Sequence, residues 1–166
     1  MLDATQILDG TLPNTGAAIT VTRASTNVLD FLVARDIGAG NALYVNVLGT
    51  AAFTAAGAAT LTIDLEASAA EGSGYEVLIS SGPLAVADLI LGWRYGFVIP
   101  QNQLSNATAG VLDAPGQYYR LNYTVATGPM TAGSVMAWLS ATPDRNAYYS
   151  YPRNYTAYVD PDQIVV

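Results

Sequence analysis

The residues that could do chemistry are few, and most are carboxylates and tyrosines. Asp64 and Glu66 stand two apart in TLTIDLEA, a spacing that puts both on one face of a strand. Paired carboxylates can serve as acid and base at a glycosidic bond. The same spacing on an exposed face is also ordinary solubility patterning, and no second acid partner is marked. Asp160 and Asp162 could meet a cation, but they lack the ligand spacing and glycine of a calcium loop. They read as part of a solvated tail. Asn106-Ala107-Thr108, Asn122-Tyr123-Thr124 and Asn154-Tyr155-Thr156 match the glycosylation triplet, a pattern that arises by chance among this many Asn and Thr. No catalytic, metal or cofactor-binding residue is assigned, and no cofactor is implied.

Absences narrow the chemistry further. The chain has no Cys and no His. That removes Ser-His-Asp and Cys-His nucleophile systems, imidazole acid–base catalysis and most zinc chemistry. It also has no Lys, so there is no Schiff base and no phosphate-loop lysine. The expectation is a protein that is not an enzyme.

The net charge of −7 rests on six Arg against thirteen acids. The arginines, Arg23, Arg35, Arg94, Arg120, Arg145 and Arg153, are scattered, so each reads as a structural ion-pair partner. Nucleic acid is excluded as a partner, because neutralising phosphates needs clustered cations. A polybasic membrane patch is excluded on the same ground. No apolar run approaches the roughly 18 residues of a membrane span, and MLDATQILDG lacks the basic start of a signal peptide. Only 11% of residues are charged while 51% are hydrophobic. A surface so poor in charge suits a protein that sits against partners.

The elements that must position these residues are strands. The chain is organised around Ala42–Ala67. Leu43, Val45 and Val47 share one face of a first strand. Leu61, Ile63 and Leu65 share one face of a second, with Thr60, Thr62, Asp64 and Glu66 opposite. Period-two alternation is what a half-buried antiparallel strand requires. The intervening GTAAFTAAGAA reads as a loop or bulged strand ends. Further strands are expected at Ala18–Ala24, Asn27–Ala34, Tyr75–Ser81, Arg94–Ile99, Gln117–Ala126 and Gly133–Thr142. Pro83–Leu91 is the one helical turn the pattern allows. Residues 101–114 read as a polar loop, and Ala114-Pro115-Gly116-Gln117 as a type II turn. About eight strands separated by Gly/Pro turns indicate an all-β antiparallel fold, the pattern of a sandwich, jelly roll or barrel, with two packed sheets as the leading form. At 166 residues one domain of this kind buries about two-thirds of its unfolded surface.

Both ends read as extended arms. The division is an N-terminal arm over 1–16, the sandwich over 17–144 and a Tyr-rich C-terminal arm over 145–166. The tail holds five of the eleven tyrosines, and Pro152 and Pro161 interrupt it. Tyrosine offers large contact area at low entropy cost. Leu2, Ile7 and Leu8 at one end, with Tyr148, Tyr149, Tyr151, Tyr155 and Tyr158 at the other, are the candidate interface residues toward a partner surface or a neighbouring subunit.

Ser25-Thr26-Asn27-Val28, Ala34-Arg35-Asp36-Ile37-Gly38-Ala39-Gly40 and Thr54-Ala55-Ala56-Gly57-Ala58-Ala59-Thr60-Leu61-Thr62 resemble the jelly-roll capsid cement proteins of tailed bacteriophages, Bordetella-phage type. Tyr119-Arg120-Leu121-Asn122-Tyr123, with Gly133 and Ala137, is similar to the end of that family's sandwich. The resemblance covers roughly residues 15–142 and excludes the tail. It implies a non-enzymatic decoration protein of the virion, bound to the outer capsid surface. Such a protein clamps adjacent major capsid protein subunits together, itself a homodimer or homotrimer. A second reading is a carbohydrate- or receptor-binding module of a virion, because jelly rolls host both.

Overall fold

The computed structural model describes residues 4–12, 15–34, 37, 42–100, 116–143 and 148–150. In chain order the strands are β1 (Ile7–Asp9), β2 (Ala17–Ala18), β3 (Arg23–Ala24), β4 (Leu29–Asp30), β5 (Tyr44–Ala55), β6 (Thr60–Ser68), β7 (Glu76–Ala85), β8 (Arg94–Val98), β9 (Tyr118–Ala126), β10 (Met130–Ser140) and β11 (Tyr148–Ser150). The first sheet runs β1-β10-β5-β8-β11, with β2 also on β10. The second runs β3-β9-β6-β7, with β4 also on β9. Taking β3 and β4 as two pieces of one strand position, eight positions follow in chain order. The sheets then read first–eighth–third–sixth and second–seventh–fourth–fifth. That is the double Greek key of a jelly roll.

The alternating rows meet between the sheets. Leu61, Ile63 and Leu65 pair with Val125, Tyr123 and Leu121 on β9, and all but half-buried Val125 are buried. Val45 and Val47 lie beside Leu139 and Ala137 on one side and Phe97 and Tyr95 on the other. Gly133 has φ +140°, and a Cβ there would lie 2.2 Å from the Phe53 ring. Only a hydrogen fits, so Phe53 closes over the backbone of β10.

Several expectations are narrowed or corrected. Of the two readings of the stretch after Leu48, the bulged strand end holds for Thr50–Ala55, the second half of β5, which pairs with Met130–Ser134 through register shifts. Ala18–Ala24 is not one strand, because the segment changes sheets. Ala17–Ala18 pairs β10, whereas Arg23–Ala24 pairs β9. Between them Ile19 is buried while Val21 is exposed. Of Asn27–Ala34 only Leu29–Asp30 is strand, since Leu32 takes the left-handed conformation at φ 66°. The expected helical turn at Pro83–Leu91 is the end of β7 followed by one 3-10 turn at Val86–Asp88. Leu84, level with Leu61, is held in the sheet.

The ends also differ from free arms. Ile7 and Leu8, expected to anchor on a partner, are buried in the chain's own fold. Their strand pairs with Ala137 and Trp138 of β10. Asn27 closes over it, donating from its backbone N–H to the Leu8 carbonyl and from its side chain to the Ile7 carbonyl, both at 3.0 Å. Leu2 lies outside the described residues. The Tyr-rich segment, expected to leave the sandwich, first returns to it. The backbone of Tyr148–Ser150 runs parallel to Tyr95–Phe97 and extends the first sheet beyond β8. The side chains of Tyr148 and Tyr149, and all of Tyr151, Tyr155 and Tyr158, fall outside what is described, as do residues 114 and 115 of the expected turn.

Candidate functional site

Two buried polar centres hold ion pairs, one of which takes up Glu66 of the candidate acid–base pair, while Asp160 and Asp162 lie outside the described residues. Asp9 has no exposed surface. Its carboxylate accepts from the Arg23 guanidinium at 2.7 Å, from the backbone N–H groups of Gly10 and Thr26 at 3.3 Å, and from the Thr26 hydroxyl. Arg23 also donates to the carbonyls of Ala18 and Ala24 at 2.9 and 2.8 Å. Its guanidinium lies 5.2 Å from the centre of the Tyr123 ring. One ion pair thus ties β1, the sheet-changing segment and β9 together. Burial pushes the Tyr123 phenol well above its ordinary range, the Asp9 carboxylate adds to the rise, and Arg23 opposes it.

The second centre lies on the outer face of the second sheet. Glu66, expected on an exposed face beside Asp64, is 8% exposed. It accepts from Arg120 Nε at 2.7 Å, and the Arg120 guanidinium stacks 3.7 Å from the Tyr75 ring centre. Burial raises the Tyr75 phenol, and Arg120 lowers it in part. Asp64 is only half-buried. The two carboxylates of the candidate acid–base pair therefore differ in setting, one clamped in an ion pair under an aromatic ring. Among the described residues no group of three or more His, Cys, Asp or Glu could hold a metal ion. No described helix is long and apolar enough to cross a membrane.

What remains is surface. A groove of about 750 Å³ opens where β1, β4 and the loop after β6 converge. It is lined by apolar Ile7, Leu29, Phe31 and Leu139 together with polar or charged residues that include Thr5, Asn27, Asp30 and Glu71. Beside it stands the tip Leu32–Val33, with Leu32 81% and Val33 57% exposed. The tip is built, not loose. Asp30 accepts from the Leu32 N–H at 2.7 Å and from the Gln117 side chain at 2.8 Å, and the Phe31 N–H donates to the Gln117 carbonyl at 3.1 Å. Phe31 then packs edge-on against Tyr119, centroids 5.3 Å apart. At the far end of the sandwich Ile90 and Leu91 form a second apolar tip.

Sequence reasoning missed Leu32 because NVLDFLVA reads as a continuous apolar strand. The available signal was Asp30, two residues before Leu32, the spacing at which an aspartate caps its own turn.

The two faces of the sandwich differ in charge. Neither β5 nor β10 of the first sheet carries a charged residue, whereas the second sheet holds Asp64, Glu66, Glu76 and Arg120. With Val45, Val47, Ala137 and Leu139 turned inward, β5 and β10 carry Tyr44, Asn46, Leu48, Met136, Trp138 and Ser140 on the opposite face, where Asn46 and Met136 are still buried and the other four half-buried.

No curated protein matches the chain. The phage-associated family Bbp16 matches residues 14–139, which takes in the sandwich from β2 to Leu139 of β10 and leaves out β1 and the Tyr-rich tail. The chain therefore belongs to the Bbp16 family, a family of Bordetella-phage type.

Proposed function

We propose that this protein is a capsid cement protein. It binds the outer surface of a tailed-phage icosahedral shell and clamps adjacent major capsid protein subunits, without catalysing a reaction. The observation that carries this reading is the family match over residues 14–139, most of the sandwich. The charge distribution supports it. Two acidic molecules approach each other most readily through surfaces without charge, and the outer face of β5 and β10 is such a surface. Copies meet there, as a homodimer or homotrimer on or off the shell. The tail beyond Ser150 adds its tyrosines to a neighbour or to the shell.

The test mixes purified protein with expanded, undecorated shells and measures co-sedimentation. The expected result is saturable binding and a higher shell melting temperature. Absence of binding to shells, together with binding to free glycans, would overturn the reading in favour of a virion lectin.

A further inference from the structure

We propose that the Leu32–Val33 tip is the shell-facing contact. It enters an apolar pocket rimmed by Arg or Lys on a shell subunit. The inference rests on the cement reading and names the surface that this reading uses.

Three observations carry it. A leucine at φ 66° is a rare backbone state for a side chain of that size. The surrounding groups hold it there, with Asp30 bonded to the Leu32 N–H and anchored in turn by Gln117. The result is a preorganised apolar knob at 81% exposure, the highest among the described leucines. Strain of this kind persists where the surroundings fix it, and it clusters at binding sites.

The second observation is the collar. Among the described residues the charged groups at the adjoining groove are carboxylates, Asp30 and Glu71. An apolar knob in an acidic collar is complementary to an apolar pocket with a cationic rim. A second copy supplies such a rim poorly. The chain has no Lys and a net charge of −7, and Arg23 and Arg120 are already paired.

The third is the contrast with the opposite end. Asp30 lies level with Tyr118 at the start of β9. Ala85, just before the Ile90–Leu91 loop, is level with Thr60, which faces Ala126 at the end of β9. The two apolar tips thus sit at opposite ends. The far tip has left-handed backbone only at Gly92, where it is unstrained.

The experiment uses the full chain and undecorated shells. Leu32→Gly removes the knob and suits the left-handed backbone, so this variant should melt no lower than the parent and bind shells at least tenfold more weakly. Leu32→Asp should bind more weakly still, because it adds an anion to the collar. A control, Ile90→Ser with Leu91→Ser, should bind like the parent. Parent-like binding by Leu32→Gly, or loss of binding in the control instead, overturns the proposal. If Leu32→Gly lowers the sedimentation mass of free protein while shell binding is kept, the occupant is a second copy and the assignment fails. If the parent itself does not bind shells, the cement reading fails, and the tip loses its partner with it.

Discussion

Asp9 shows how much of this fold turns on single polar side chains. A carboxylate with no exposed surface survives because Arg23, two backbone N–H groups and Thr26 all address it. Removing Asp9 leaves those donors unsatisfied, so Asp9→Ala should cost about 3 kcal/mol in denaturant unfolding, the lower end for breaking a buried pair. In the apolar layer, Leu61→Ala and Leu121→Ala should each cost about 2–5 kcal/mol through lost transfer energy and the cavity left behind. An unchanged denaturant midpoint for both would contradict their burial. The tyrosines set the alkaline limit. Tyr123 and Tyr75 have phenols raised above the ordinary value of 10.0, chiefly by burial. A group raised in the folded state contributes fully below its unfolded pKa and loses that contribution as pH rises past it. The unfolding midpoint should therefore hold from neutral pH to near 10 and fall above it, and Tyr123→Phe should flatten the fall. Leu32 works in the other direction, because its left-handed backbone costs the fold about 1–2 kcal/mol.

Among the elements, β1 and β7 define how the sandwich ends. The three residues of β1 hold Ile7, Leu8 and Asp9, all buried. A deletion of residues 1–10 should lower the melting temperature sharply, where loss of a free arm would leave it unchanged. The ten residues of β7 have β6 on one side and no described strand on the other. A free edge of that length invites pairing with other chains. This one is blunted by register shifts opposite Thr62–Asp64 and Leu65–Glu66, by Gly82 at φ 67° and by Pro83, which has no N–H to offer. The Ser81 hydroxyl substitutes in the ladder by accepting from the Ile63 N–H at 2.9 Å. Strand β11 does the corresponding work at the β8 edge and also touches β7. Truncation after Ser150 should then leave the melting temperature of the protomer unchanged, whereas truncation after Asp144 should lower it. Equal stability for both would mean that β11 adds nothing to the fold.

At the scale of the whole molecule, the sandwich is electrically two-sided. The long strands β5 and β10 carry no charge, so the first sheet holds it only at its flanks, Asp9 on β1 and Arg94 on β8, while the second sheet holds Asp64, Glu66, Glu76 and Arg120 along its strands. A face with half-buried Tyr44, Leu48 and Trp138 suits contact between copies, since β5 and β10 bring no charge of their own to be desolvated and Arg94 stands only at its flank, level with Leu48. Trp138→Glu should accordingly shift the sedimentation mass at micromolar concentration from oligomer to monomer with an unchanged far-UV circular dichroism spectrum. A variant that keeps the parental mass would place self-association elsewhere.

The all-β class and the central core rows were legible in the sequence because they follow from a local rule. Alternation along LTIDL and RLNYTV places Leu61, Ile63, Leu65, Leu121 and Tyr123 on one face wherever the strands go, and all are buried. The missing His, Cys and Lys were equally legible, since composition needs no fold. What alternation cannot carry is pairing. Ala18–Ala24 alternates well, but it crosses from one sheet to the other, and only the positions of β9 and β10 decide that. Thr50–Ala55 has weak strand character of its own and becomes strand because β10 supplies its hydrogen-bond partners. Glu66 looks like a solvent-facing acid in the sequence; Arg120, fifty-four residues away, makes it a buried ion pair. The Leu32 tip likewise depends on Gln117 meeting Asp30 across 87 residues. These are long-range contacts, fixed by topology, and no short window of the chain contains them.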